Sequence, residues 1–190
     1  MKNLIPILTS LVLFNTVDAS VFECHESLNE LECLIYQETN KLRLKEGLPR
    51  LVFSEQCQAA AAYHTQRMAE TGVYAHEIKG DMTFGQRVEY FEVPGSRVSE
   101  NIHARKMKEF SSVEEAASEI VNDWYESRGH RKNMLNSSAR AIGIAAFKDY
   151  QVQCFTDRAN PEVLEQARLE DKEARPSALN SILNKLPWKR

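Results

Sequence analysis

Between residues 27 and 46, Leu28, Leu31, Leu34, Ile35 and Leu42 return at helical spacing, and Gly47 and Pro49 close the pattern. Recurrence of that kind predicts an amphipathic helix with one buried face. After a short apolar piece, Leu51-Val52-Phe53, Ser54 is a fitting N-cap for a second helix. On it Cys57, Ala60, Ala61, His64 and Met68 share one face, with Gly72 as the stop. His64 therefore lies on the buried stripe, where a hydrogen-bonded core histidine is a commoner reading than a ligand. Thr83 caps a brief helix over 84–91, Pro94-Gly95 marks a turn, and residues 98–104 alternate as a strand does. The clearest element follows. Ser112 and Glu115 form a capping-box pattern, and Val113, Ala116, Ala117, Ile120, Val121 and Trp124 make one apolar stripe. That stripe assigns Trp124 to the core rather than to a ligand platform. The helix is expected to end near Ser127, with Gly129 as its terminator and His130 just beyond. Residues 141–147 and 151–156 then read as an antiparallel hairpin across Lys148-Asp149-Tyr150. Gly143 inside the first strand signals a bulge or a close backbone approach.

The two ends differ in character from this middle. Lys2 opens a short basic region, residues 4–17 are apolar apart from small polar side chains, and Val17-Asp18-Ala19 offers small residues to a peptidase. Residues 1–19 are therefore expected to be a signal peptide cleaved before Ser20, and the run is short for a membrane anchor. Export changes how Cys24, Cys33, Cys57 and Cys154 are read, because an even set in an oxidising compartment points to disulfides. Sequence alone leaves three pairings open. The favoured one joins Cys24 to Cys33 as a local clip and Cys57 to Cys154 as a long-range staple across the core. At the other end, Pro161 opens a charged stretch to Arg175, and Leu179, Ile182, Leu183 and Leu186 form a short amphipathic tail. That tail reads as a loosely docked extension, or as cover for a sheet edge or membrane surface. The formal net charge of the 190 residues is −3, with no long basic run, which argues against nucleic-acid binding.

Four stretches, in this order, carry a resemblance. They are "NKLRLKEGLPRLVFSEQCQAAAAYHTQRMAETGVYAHE", "SENIHA", "DWYESRGHRKNML" and "AIGIAA". Together they resemble the CAP superfamily of cysteine-rich secretory, antigen-five and pathogenesis-related proteins, and look most like the compact SCP-like extracellular proteins of bacteria. The likeness covers residues 34–157, so the chain reads as a signal peptide (1–19), an N-terminal extension (20–33), the CAP domain (34–157) and a charged C-terminal extension (158–190). It implies an α+β fold, a three-layer α-β-α sandwich around a small, mostly antiparallel sheet. It also implies a cleft lined by two histidines and two acids. The histidines match His76 in "YAHE" and His130 in "SRGH". The first acid matches Glu100 in "SENI", where Ser99 stands in place of the usual glycine. The second acid of animal and plant members falls at Ser127, with Glu126 one residue early, and bacterial-type members tend to have serine there as well.

Two neutral imidazoles suit zinc, with Glu100 orienting one of them, so zinc bound weakly by His76 and His130 is an expectation of the resemblance. A competing reading makes His130 only a cap for the helix before it. No cofactor is required by this pattern. Nucleophilic catalysis finds little support, for no GxSxG elbow occurs and the cysteines are better used in disulfides. The expected protein is thus secreted or periplasmic and monomeric. Without catalysis, it binds a ligand, a lipid-like molecule or an extracellular partner through a cleft of His76, Glu100, Glu126, Ser127 and His130. The alternative is a metal-dependent hydrolase acting on extracellular or cell-envelope substrates.

Overall fold

The computed structural model describes residues 23–173. The expected signal peptide and the amphipathic tail from Leu179 to Trp188 lie outside the described residues. Helix α1 (Glu30–Lys45) starts where Asn29 accepts the Glu32 N–H and Glu32 reaches back to the Asn29 N–H, each at 3.0 Å. The Cys24–Cys33 disulfide, with Cα atoms 5.5 Å apart, ties the preceding segment to the first turn of α1. The expected N-terminal extension therefore runs into this helix.

Strand β1 (Val52–Phe53) leads into α2 (Glu55–Thr71). Ser54 caps α2 by accepting the Cys57 N–H, and Gly72 ends it in the left-handed region at φ 70°. A short α3 (Phe84–Tyr90) carries the expected Thr83 cap, and β2 (Val98–Ala104) follows. Helix α4 (Val113–Glu126) is only half capped as foreseen. Ser112 accepts the Glu115 N–H, whereas the Glu115 carboxylate turns to the Ser111 N–H at 2.6 Å. Helix α5 (Arg128–Met134), β3 (Ala141–Phe147), β4 (Tyr150–Thr156) and α6 (Pro161–Glu173) complete the chain. Tyr150 already pairs with Phe147, so the hairpin turn is only Lys148-Asp149, with Lys148 at φ 54°.

The sheet order is β1-β3-β4-β2, and only the β1–β3 pair is parallel. Alternation along β3 and β4 sends Ile142, Ile144 and Phe155 to one face, against Ile35 and Leu42 of α1 and Ile120 and Trp124 of α4. Ala145, Val152 and Cys154 go to the other face, under Cys57, Ala61 and Met68 of α2. Helix, sheet and helix form the three layers of an α+β sandwich. α6 lies against β1, where Ala167 joins Val52 and Ala141, Arg50 Nη2 pairs with Glu170, and Arg50 Nε sits 2.8 Å from Asp171. The first part of the 158–190 extension thus covers an edge strand that would otherwise present unpaired backbone groups.

At Gly143 the backbone of α2 lies directly against the sheet. A Cβ there would stand 2.0 Å from Gln58 N and 2.3 Å from Cys57 C, both backbone atoms that cannot yield. Gly143→Ala is expected to destabilise the fold by about 1–3 kcal/mol or more through overpacking. Urea unfolding is the check, and a variant as stable as the parent would show that α2 can retreat.

The expected Cys57–Cys154 staple is corrected. Both residues meet across the core as foreseen, but as buried thiols. Their mutual hydrogen bond, with burial, pushes the Cys154 thiol well above its usual range. Proximity is not enough for a bridge, which also demands a particular dihedral at the sulfurs, and burial shields both thiols from an oxidant. Alkylation without reductant should therefore label neither cysteine in the native protein and both after denaturation. Peptide mapping should find only Cys24 joined to Cys33.

Candidate functional site

The site assembles along β2, the outer strand of the sheet. Alternation places Glu100 and Ile102 on the α2 side, and Asn101 and His103 on the side of α4 and α5. Glu100 is buried. Arg87 of α3, itself fully buried, donates from Nη2 to Glu100 Oε1 at 3.0 Å and Oε2 at 2.9 Å. The same nitrogen donates to the His76 carbonyl, and Nη1 to that of Met82, so Arg87 fixes the loop that carries His76.

His76 is half exposed, and its Nδ1 lies 2.9 Å from Glu100 Oε1. A carboxylate acceptor on that nitrogen holds the ring with Nε2 turned away. His64 donates from Nε2 to the Ala75 carbonyl at 2.9 Å and stands 3.9 Å from Glu100. Burial pushes its pKa down, as befits the core histidine its place on α2 predicts.

His130 requires a correction. Gly129 does not stop α4, because it lacks the left-handed backbone that ends a helix at glycine. The reversal occurs at Ser127, whose extended backbone (φ −77°, ψ 117°) closes α4 and opens α5. His130 thus sits in the first turn of α5, not past the C-terminus of α4, and it does not cap that helix. Partial burial lowers its pKa, and the charges of His76 and His103 act in the same direction. Asn101 Nδ2 donates to the His130 carbonyl at 3.2 Å, and Asn133 Nδ2 to Asn101 Oδ1 at 2.9 Å and the Glu100 carbonyl at 3.3 Å. These amides clamp α5 onto β2.

Sequence reasoning passed over several of these groups. His103 Nδ1 lies 2.9 Å from Gln151 Oε1 and its Nε2 2.9 Å from Asp123 Oδ2, which Arg105 Nη1 also meets at 3.2 Å. Alternation beyond Glu100 could have marked His103, whereas nothing local marks Arg87. Ser127 is half buried at the helix junction, and Glu126 is exposed at the end of α4, opposite in rotation to the buried Trp124. The structure joins His76 to Glu100, hangs α5 and with it His130 on β2 through Asn101 and Asn133, and leaves Glu126 exposed. Among the described residues, no three or more His, Cys, Asp or Glu side chains are arranged to hold a metal ion. A three-ligand catalytic zinc centre does not fit this donor set.

An α-β-α sandwich with a histidine–carboxylate pair on its outer strand defines a class of small domains to which this chain can be compared. The family model for the cysteine-rich secretory protein family, CAP, matches residues 36–156, and the chain belongs to that family. An uncharacterized membrane protein, YlbC, of Bacillus subtilis (strain 168) is 30% identical over 120 residues, which is 63% of this chain and 32% of that protein. The chain therefore spans about a third of that relative. Among solved structures, an extracellular protein containing an SCP domain from Bacillus anthracis str. Ames is 26% identical at a TM-score of 0.59. That match covers 67% of this chain and 40% of the other. An outer surface protein of Borrelia burgdorferi shares the fold at a TM-score of 0.60 and 20% identity, over 69% of this chain and 95% of that one. No helix among the described residues is long and apolar enough to cross a membrane.

Proposed function

We propose that the chain is an exported, non-catalytic CAP-domain protein that binds a ligand or extracellular partner at the cleft of His76 and His130. Neighbours described as extracellular and outer-surface proteins, together with the signal-like residues 1–19, support export. The observation that carries the binding reading is the state of Glu100. Its two oxygens are taken by Arg87 and His76 and it is 7% exposed, so it orients an imidazole and is not free to accept a substrate proton. Glu126, the other candidate base, faces solvent at the end of α4. A screen of the purified protein against peptide and cell-envelope substrates, with and without chelator, should detect no turnover. Chelator-sensitive hydrolysis lost in His76→Ala would replace this reading with the hydrolase.

Zinc binding at the cleft belongs to the same proposal. His76 Nε2 and His130 supply two neutral nitrogens, with Glu100 backing the first, which makes an open and weak site. Calorimetric titration should show modest affinity that falls as pH drops through the histidine range, since bound imidazoles must be neutral. Glu100→Gln is expected to weaken binding less than His76→Ala or His130→Ala. Equal binding by the parent and His130→Ala would remove the metal from the proposal.

A further inference from the structure

On the face of α5 turned away from His130, Arg128, Arg131 and Lys132 line a depression of about 560 Å³ with Asn133, Asn136 and Ser137. The helical step of about 100° per residue puts the three cations on one arc and His130 on the opposite one. No acidic side chain lines this depression, and none of its three cations is ion-paired among the described residues. Arg131 is held ready, donating to the Tyr125 carbonyl at 2.9 Å with its guanidinium 5.3 Å from the centre of the Tyr125 ring.

The wall of the depression is fixed by two more guanidiniums, both spent on carbonyls. Fully buried Arg43 donates from Nη1 to Met134 O at 2.6 Å and Asn136 O at 3.1 Å, satisfying the open end of α5. Arg140 donates to Ser137 O at 2.7 Å and Ala139 O at 2.8 Å. Burial and the proximity of Arg140 lower the Arg43 pKa only to about 10, so it stays charged at neutral pH. Three cations thus line one hollow, with two more guanidiniums behind its wall, in a chain whose formal net charge is −3.

We propose that this hollow is a second binding site, separate from the histidine cleft, for a phosphate-bearing ligand carrying several negative charges. Guanidinium forks match pairs of phosphate oxygens, Lys132 adds a point charge, and the Asn136 amide and the Ser137 hydroxyl can donate to the rest. Tripolyphosphate is the probe, titrated into the full chain at 0.15 M salt, where charges beyond about 8 Å are screened. Affinity is expected to fall at least tenfold in the Arg128→Ala/Lys132→Ala double variant, both changes being at exposed positions. It should be unchanged in Lys108→Ala, an exposed cation elsewhere, and in His130→Ala. Binding seen only at low salt, an equal loss in Lys108→Ala, or a loss in His130→Ala would each overturn the proposal. Flotation with vesicles carrying a phosphatidylinositol phosphate, whose headgroup holds several negative charges, but not with phosphatidylcholine vesicles, abolished in the double variant, would support the site and place the phosphate on a lipid headgroup. Tripolyphosphate binding without flotation would support it and place the phosphate on a soluble ester.

Discussion

Trp124→Ala is expected to cost about 3–5 kcal/mol of stability, the range for emptying a buried aromatic position. The side chain is fully buried among Ile120, Val121, Ile142 and Ile144, between α4 and the sheet. Its indole N–H also donates to the Ile102 carbonyl at 3.0 Å. That carbonyl points outward from the strand's free edge and is shared with the Tyr74 hydroxyl at 3.1 Å. Alanine removes both the volume and one of the two donors that hold β2 at the height of the site. Trp124→Phe keeps most of the apolar volume and loses the donor, so it should fall between parent and alanine. Denaturant unfolding of the three proteins tests the order. An alanine variant as stable as the parent would place Trp124 outside the core.

The parts of this fold that were legible in the sequence are those governed by short periods. The stripes on α2 and α4 and the alternation of β2, β3 and β4 are local, so the chain displays them without knowledge of its partners. Gly143 was legible for the same reason, as a side chain missing where backbones must touch. Gly129 misled because a glycine ends a helix only through its backbone angles, which residue type does not disclose. Cys57 and Cys154 were rightly brought together, but the choice between bridge and thiol pair rests on sulfur geometry that spacing does not carry. His76, Glu100 and His130 come from three separate elements, so only the family resemblance could group them. Arg87 lay beyond reach for a further reason. A seven-residue helix is too short to reveal an inward face, and a buried cation becomes intelligible only when its carboxylate is found on another element.

That cation carries the second large expectation. Arg87→Met should destabilise the protein by about 3–5 kcal/mol at neutral pH, because Glu100 is left buried without its principal counter-charge. His76 still meets one oxygen, which sets the loss toward the lower end. The pH dependence distinguishes this cause from lost packing. In the variant, an uncompensated buried carboxylate has a folded-state pKa above its unfolded value of about 4.3. The unfolded chain then binds fewer protons than the folded one between those two values, so acidification from neutrality favours the folded variant. The deficit against the parent should narrow as pH falls toward that value, whereas a deficit due to packing alone would not depend on pH. Adding Glu100→Gln to Arg87→Met should recover part of the loss at neutral pH, since a neutral amide removes the stranded charge while keeping a partner for His76. A double variant as unstable as the single one, with a pH-independent deficit, would mean that Arg87 serves the loop carbonyls of His76 and Met82 and not the carboxylate.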